Sequence, residues 1–248
     1  MTADLWPACT DTQRMLKFLG GTASDRKLRL FSLACYGRVA RHVRDDRSRA
    51  VAAFAALHAE AGVARRRGLP AVRERASRAW QDADDAVLRS RHSRDYSKAE
   101  TACWAADVAR YTVNGDARFA ACHCSLAACM AAGYASGPAR RGGVPESYEL
   151  AYDAESADLA DLLRDIFNPF RPITVSPSCL TPQVVALAQA AYEHRDLPAG
   201  HLAADRLAVL ADSLEDGGCE DAVLLGRLRG GGVHARGCWG VDAVLARP

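Results

Sequence analysis

Residues 118–135 read RFAACHCSLAACMAAGYA, an alanine-rich run without proline. Alanine has the highest intrinsic helix propensity, and its small side chain lets neighbouring helices pack closely. A second run, AVAAFAALHAEAGVA at residues 50–64, has the same character, and runs of strand-forming residues are nearly absent. These two segments predict an all-α protein built from closely packed helices.

Capping residues, glycine and proline indicate where further helices begin and end. Ser24 caps one amphipathic run, residues Asp45 to Ser48 read as a turn and cap before another, and Ser97 can cap a third. Thr181 followed by Pro182 places a cap before proline in the first turn. The predicted helices cover about residues 24–43, 70–91, 97–111, 118–135, 146–167, 220–228 and 237–246, and others begin near Thr10, Asp46, Thr181 and Pro198. About ten helices without a fixed-period repeat predict an irregular multi-helix bundle or a stacked helical array.

One stretch of the chain has the composition of a linker. Residues 136–145 read SGPARRGGVP, which is rich in glycine and proline. We therefore predict an N-terminal helical half at residues 1–135 and a C-terminal helical half at residues 146–248. The two halves can also pack as one domain.

The charges are distributed unevenly along the chain. From Arg26 to Arg94 there are 17 basic and 7 acidic side chains, whereas from Glu146 to Asp221 there are 4 basic and 15 acidic ones. Opposite net charges of this size predict attraction between the basic N-terminal and the acidic C-terminal segments.

The arginine-rich N-terminal half is also a candidate nucleic-acid site, because clustered arginines neutralise phosphates. The candidate residues are Arg65, Arg66, Arg67 and Arg73. No helix-turn-helix, zinc-finger or RNA-binding aromatic motif accompanies them. Nucleic-acid binding is therefore an alternative, and the sequence does not favour it.

The sequence predicts a cytoplasmic protein without a membrane partner. The N-terminal residues MTADLWPACTD lack the basic and apolar segments of a secretory signal, and no apolar run approaches the roughly 18 residues of a membrane span. The nine cysteines are odd in number, and most lie within helix-like apolar patterns. We expect them to be reduced and to pack as small apolar side chains.

Three phrases of the sequence carry a family resemblance: ASDRKLRLF at residues 23–31, LLRDIFNPFRPI from Leu162, and HARGCW from His234. In them the chain resembles an uncharacterised family with many paralogues in planctomycete-type bacteria. Both ends of the chain match well and the alanine- and arginine-rich middle matches poorly. Members have a glycine before NPF that this chain lacks. The resemblance implies kinship, and it brings no activity, substrate or catalytic residue with it.

The most distinctive local feature is HARGCWGVD, which begins at His234 and follows three glycines. His234, Cys238 and Asp242 form a candidate catalytic group, since a neighbouring cation lowers a thiol pKa and a nucleophile needs a base beside it. If the last helix starts just before Cys238, then Cys238 and Asp242 lie one turn apart. The alternative, which we favour, is that Trp239 packs this helix onto the bundle and His234 hydrogen-bonds a loop carbonyl.

The sequence Cys122-His123-Cys124 has the residue types of a zinc site but not the spacing. Zinc-binding cysteines are usually separated by two to four residues, and on a helix Cys124 points about 200° away from Cys122. Further ligands would have to come from elsewhere, such as His58 or Cys103. We predict core cysteines here, and we predict neither a metal nor a cofactor for the chain.

Three carboxylates fall on one face of a predicted helix, at Asp158, Asp161 and Asp165. Such a face can chelate a hard cation or bind another chain. No Glu-x-x-His pairing accompanies these residues, so a di-iron bundle is not indicated. We predict that they form a solvated face.

The segment NPFRP displays an aromatic side chain and an arginine between prolines, which makes Phe170 and Arg171 candidate partner-binding residues. The favoured alternative is that Phe170 is buried and closes the bundle. No P-loop, Rossmann glycine pattern, HExxH motif or nucleophile elbow occurs in the chain.

The sequence therefore predicts a non-enzymatic helical protein that acts through a partner-binding surface as an accessory or regulatory module, with a protein as its partner. A nucleic-acid-associated protein is one alternative. An enzyme or metal site around His234, Cys238 and Asp242 is the other.

Overall fold

A computed structural model of the chain describes residues 1–59, 68–139, 143–196 and 200–247. Within these residues the chain is 69% helical, with eleven α-helices and no sheet. Two isolated bridges pair Asp196 with His201 and His201 with Ala235. The prediction of an all-α multi-helix bundle is confirmed. Among the described residues, no helix combines the length and the apolar character needed to cross a bilayer.

The helices are numbered in chain order. They are α1 (Thr12–Leu19), α2 (Asp25–Val39), α3 (Asp46–His58), α4 (Leu69–Ser90), α5 (Tyr96–Tyr111), α6 (Ala117–Ala135), α7 (Tyr148–Ile166), α8 (Pro182–Glu193), α9 (Ala204–Asp216), α10 (Ala222–Arg229) and α11 (Trp239–Val244).

Most helix starts lie where the capping residues predict them, with exceptions at α1 and α5. The side chains of Ser24 and Thr181 accept hydrogen bonds from the first turns of α2 and α8. The cap of α1 is Asp11 rather than Thr10. Ser97 lies inside α5, and its hydroxyl accepts a hydrogen bond from the Ala139 amide at 2.6 Å instead of capping the helix.

The predicted start of a helix at Pro198 falls outside the described residues, and the helix that follows begins only at Ala204. The chain before it is held by another segment, because the Leu202 amide donates a hydrogen bond to the His234 carbonyl oxygen at 2.8 Å. The backbone around Leu202 therefore pairs with the segment at His234 and Ala235 and does not form the first turn of α9.

The contacts divide the chain into two compact units, unit 1 at residues 1–160 and unit 2 at residues 161–248. The division falls within α7, whereas the linker predicted at residues 136–145 lies inside unit 1. The first part of α7 is bound to unit 1, since Glu155 accepts two hydrogen bonds of 2.8 Å from Arg38 of α2. This pair joins the basic and acidic segments of the sequence.

The core of unit 1 is centred on α6, whose small side chains let α2 and α5 approach closely. The buried residues of this helix include Ala120, Ala121, Cys124, Ala127, Ala128, Cys129 and Ala131. At Gly133 a Cβ atom would lie only 2.5 Å from the ring of Tyr148, so only glycine leaves room for that ring. The alanine-rich run that predicts the fold is thus its central helix.

The core of unit 2 is made of leucines from α9 and α10 and of the last helix. Leu207, Leu210 and Leu214 of α9 are fully buried. Trp239 packs against this core, which confirms the expected role of the last helix.

Candidate functional site

The structure brings His234 and Cys238 together in unit 2, where the loop after α10 leads into α11. The His234 Nδ1 atom lies 3.6 Å from the Cys238 sulfur. The two residues are only 2% and 0% exposed. His234 and Cys238 are therefore neighbours, as the sequence predicts, and both side chains are buried.

The third predicted member, Asp242, does not join them. Its carboxylate accepts a hydrogen bond of 2.7 Å from the Tyr192 hydroxyl, and the same hydroxyl accepts one of 3.2 Å from the Gly237 amide. Asp242 therefore fastens the first turn of α11 to α8, because its side chain points to Tyr192.

The carboxylate beside His234 and Cys238 belongs instead to Asp165, in the last turn of α7. One of its oxygens lies 3.0 Å from His234 Nδ1 and forms an ion pair with Arg227, and the other accepts a 2.7 Å hydrogen bond from the Ala235 amide. The prediction of a solvated Asp165 is wrong, since this residue is 0% exposed.

The neighbouring residues show how the sequence could have separated Asp165 from the rest of that acidic face. The Asp161 side chain is 59% exposed and pairs with Arg164, one turn along the helix. Asp165, by contrast, lies directly between Arg164 and the buried Ile166. The available signal was that apolar residues, which the structure buries, flank Arg164 and Asp165 on both sides: Leu162, Leu163, Ile166 and Phe167.

Two opposing effects set the charge of Asp165. Burial alone raises a carboxyl pKa, but the hydrogen bonds and positive charge from His234 and Arg227 outweigh it and hold the pKa of Asp165 below its usual value. For Cys238 the balance is reversed. Burial, followed by the negative charge of Asp165, raises the pKa of the Cys238 thiol well above its usual value.

This geometry does not activate a nucleophile. In a catalytic triad the histidine faces its nucleophile with one ring nitrogen and its carboxylate with the other. Here Nδ1 of His234 faces both Asp165 and Cys238, while Nε2 lies 3.3 Å from the Gly230 carbonyl oxygen. A buried thiol with a raised pKa is also a weak nucleophile.

Asp165, His234 and Cys238 have the donor types of a zinc site, and their ligand atoms lie within 4.8 Å of one another. The surroundings favour a different arrangement. The Arg227 guanidinium already pairs with the same carboxylate oxygen that faces His234, and the thiol is held in its protonated form. These residues fit a buried ion-pair network better than a metal centre.

A second cluster lies at the surface of unit 1, and we call it the aromatic–arginine stack. Its members come from α4, α5 and α6 and are Trp80, Arg110, Tyr111, Phe119 and His123. The Arg110 guanidinium carbon lies 4.2 Å from the Trp80 ring centre and 4.7 Å from that of Tyr111. His123 continues the cluster, with ring centres 4.5 Å from Tyr111 and 3.9 Å from Phe119.

Asp107 holds the arginine of this stack in place. Its carboxylate accepts hydrogen bonds of 2.9 and 2.5 Å from the Arg110 guanidinium, one helical turn away. Burial raises the pKa of Asp107, and the charge of Arg110 offsets this only in part. The guanidinium is thus fixed at one end by a carboxylate and between two rings.

The outer face of α6 extends the stack along the surface. Phe119 is 46% exposed and Leu126, two turns further on, is 40% exposed. His123 lies between them, whereas Cys124 is buried with its sulfur 3.5 Å from the Val108 carbonyl oxygen. His123 and Cys124 therefore lie on different faces of α6, one in the stack and the other in the core.

The remaining predicted residues do not gather into one site. Arg65, Arg66 and Arg67 lie outside the described residues, and the Nε atom of Arg73 donates a 2.8 Å hydrogen bond to the Val113 carbonyl oxygen. Phe170 is 41% exposed, so the expectation that it is a buried plug is wrong. Arg171 forms an exposed ion pair of 3.1 Å with Asp221.

The members of the aromatic–arginine stack were not predicted. Trp80 is distant in the sequence from Arg110 and Phe119, and the three residues follow no motif. The only available signal was that α6 carries Phe119, His123 and Leu126 at helical spacing, a second apolar stripe on a helix that already has one for the core.

Comparisons with protein-family models, with curated proteins and with solved structures find no match for this chain. Its function is therefore inferred from its own residues. Kinship with the planctomycete-type family stays a prediction.

Proposed function

We propose that this chain is a non-enzymatic helical protein that binds a partner protein through the aromatic–arginine stack and the outer face of α6. The observation that carries the proposal is the stack itself. Its side chains are assembled before any partner arrives, with Arg110 held by Asp107, and yet they remain partly exposed.

The composition of the stack is that of an energetic centre in a protein interface. Tryptophan, tyrosine and arginine dominate such centres, and aromatic rings lose little conformational entropy on binding. Phe119 and Leu126 add apolar area that a partner can cover. Few charged residues compete with them, because Arg118 is the only charged residue of α6.

An enzymatic role has less support, because the predicted reactive pair, His234 and Cys238, is enclosed. Asp165, His234 and Cys238 satisfy one another in the interior of unit 2, and each is at most 2% exposed. A substrate would have to open this core to reach the sulfur.

Nucleic-acid binding is also less favoured than protein binding. Phosphate contacts need cations that project freely, whereas Arg110 is neutralised by Asp107. Arg73 uses its Nε donor on a carbonyl oxygen of its own unit. The most exposed member of the stack is Phe119, which suits an apolar side chain of a protein better than a phosphate.

The experiment that tests the proposal places a photo-reactive phenylalanine derivative at position 119. The matched control carries it at position 150, because Leu150 of α7 is 76% exposed and lies outside the stack. After irradiation in cells of the source organism, we expect one defined protein to be cross-linked at position 119 and not at position 150.

The captured protein is then purified and its affinity is measured by calorimetry. Truncation of a central interface residue costs about 2 kcal/mol or more, so Phe119→Ala should weaken binding roughly 30-fold while Leu150→Ala leaves it unchanged. Equal capture at both positions, or a complex that nuclease removes, would contradict the proposal.

A cytoplasmic location belongs to the same proposal. All nine cysteines are free thiols, including pairs that share a helix, such as Cys124 and Cys129. This is the state expected where glutathione keeps thiols reduced. We infer that the partner is met in that compartment.

A further inference from the structure

Unit 1 contains a groove that the proposed partner surface does not use. It lies between the start of α3 and the facing sides of α4 and α5, and it encloses about 450 Å³. Ligand sites in proteins typically have volumes of about 300 to 1,000 Å³. The groove is thus large enough for a small organic molecule, and it shares no residue with the aromatic–arginine stack.

The walls of the groove are made of alanine methyl groups at helical spacing. They come from Ala79, Ala83 and Ala86 on α4 and from Ala99, Ala102 and Ala106 on α5. Because none of these side chains extends beyond Cβ, the space between the two helices stays open. The wall is apolar and can cover an apolar body.

Ser48 of α3 lines the same groove and differs from its surroundings. The residue is 1% exposed, and within the described part of the chain its hydroxyl has no hydrogen-bond partner. A buried hydroxyl without a partner carries a desolvation penalty, so most such groups are paired. Ser90, which also lines the groove, follows that rule and donates to the Ala86 carbonyl oxygen at 2.8 Å.

The charges at the rim cancel one another. The guanidinium of Arg47 pairs with Asp45 at 2.6 Å and with Asp82 at 2.5 Å. Lys98 pairs with Asp95 at 3.3 Å. The charged residues that line the groove are Arg44, Lys98, Asp45, Asp82 and Asp95, and Arg47 beside them brings the balance to three cations and three carboxylates. A balanced rim gives no net attraction to an ion and leaves an uncharged ligand as the best match.

We propose that this groove binds a small, uncharged and largely apolar molecule that carries one hydrogen-bonding group, a hydroxyl or a carbonyl, for Ser48. The apolar body lies between the alanine walls of α4 and α5, and the polar group satisfies the hydroxyl. The site is independent of the partner surface, so either proposal can fail without the other.

The test is an NMR titration of the full chain with benzyl alcohol and with toluene, which have similar shapes and differ by one hydroxyl. Signals of the alanine methyl groups of the groove report binding. We expect both probes to shift these signals saturably, and benzyl alcohol to bind about three- to tenfold more tightly than toluene, the net effect of one hydrogen bond.

Two serine variants isolate the role of the hydroxyl. In Ser48→Ala the preference for benzyl alcohol should disappear while the affinity for toluene is kept. In Ser90→Ala the preference should remain, because that hydroxyl is already satisfied by its own helix. A third variant, Ala83→Leu, places a larger side chain in the groove and should abolish the binding of both probes.

Several results would overturn the proposal. They are equal affinities of the two probes for the unaltered chain, a preference that survives Ser48→Ala, and shifts that do not saturate or that occur away from the groove. Alanine signals outside the groove serve as the check that each variant is folded.

Discussion

Asp165 in unit 2 and Asp107 in unit 1 are both buried aspartates that bind an arginine, but their pKa values move in opposite directions. Burial raises the pKa of each carboxyl. At Asp165 the effects of His234 and Arg227 outweigh burial and the pKa is lowered, whereas at Asp107 the effect of Arg110 does not and the pKa is raised. The number of donors around a buried carboxylate therefore decides whether its charge stabilises the fold.

The two pairs also differ in what they position. Arg227 is held inside unit 2, where the ion pair joins α7, α10 and the loop that carries His234. Arg110 is held at the surface of unit 1, between two rings. We therefore expect the first pair to stabilise unit 2, whereas the second holds side chains of the surface that we propose for partner binding.

Of the variants that distinguish the two ion pairs, Asp165→Asn is expected to cause the largest loss of stability. Removing one partner of a buried ion pair leaves the other charge uncompensated and costs about 3 to 5 kcal/mol. Arg227 and His234 both lose their anionic partner in this variant. Urea titration followed by hydrogen exchange of peptides from α8 to α11 measures the loss in unit 2.

Asp212→Asn is the matched control for that experiment, because Asp212 forms an exposed pair with Arg229 in the same unit. Exposed pairs contribute about 0 to 1 kcal/mol, so this variant should remain close to the unaltered chain. If Asp165→Asn were as mild as the control, the buried network would not be what stabilises unit 2.

Most of the fold could be predicted from the sequence because helix signals are local. The caps at Ser24 and Thr181 and the proline and glycine positions depend on a few neighbouring residues. The errors arose where a distant segment decided the outcome. Ser97 binds the Ala139 amide instead of capping α5, and Leu202 binds the His234 carbonyl instead of continuing a helix.

The buried cluster could be predicted only in part for the same reason. His234 and Cys238 are four residues apart, so the sequence shows that they are neighbours. Asp165 comes from 69 residues earlier in the chain, and its helix periodicity matches the exposed Asp158 and Asp161. The spacing of carboxylates along a helix does not show which of them is buried. That is decided by a distant arginine and histidine, which compensate the charge of Asp165.

A change of pH is expected to have an intermediate effect on the free energy of unfolding, with opposite signs at Asp165 in unit 2 and Asp107 in unit 1. The folded pKa of Asp165 lies below the unfolded value of 3.8, so its contribution to stability is present above that value and is lost as the pH falls through the folded pKa. The destabilisation caused by Asp165→Asn should therefore shrink in strong acid. Urea midpoints of both chains between pH 7 and pH 2.5 measure this difference.

For Asp107 the sign is reversed. Its folded pKa lies above 3.8, so the folded state binds the proton more tightly and unit 1 gains stability as the pH falls through that window. Asp107→Asn removes this gain. A titration in which both asparagine variants showed the same pH trend would contradict the assignment of opposite shifts.

The smallest effect on stability is expected from Asp107→Asn at neutral pH. The raised pKa shows that the charged form of Asp107 is costly in its buried place, and this cost offsets what the pair with Arg110 contributes. The free energy of unfolding of unit 1 should therefore change by less than about 1 kcal/mol, far less than the loss from a well-compensated buried pair.

The same variant should nevertheless loosen the stack, because asparagine holds a guanidinium with fewer and weaker hydrogen bonds than a carboxylate does. Stacking between Trp80 and Tyr111 shifts the NMR signals of the Arg110 side chain through the ring currents, and in Asp107→Asn these signals should move towards those of a solvated arginine. A loss of stability as large as that of Asp165→Asn would instead show that the Asp107–Arg110 pair stabilises the core of unit 1. Retained ring-current shifts would show that the rings alone hold Arg110, and partner binding would then survive the loss of Asp107.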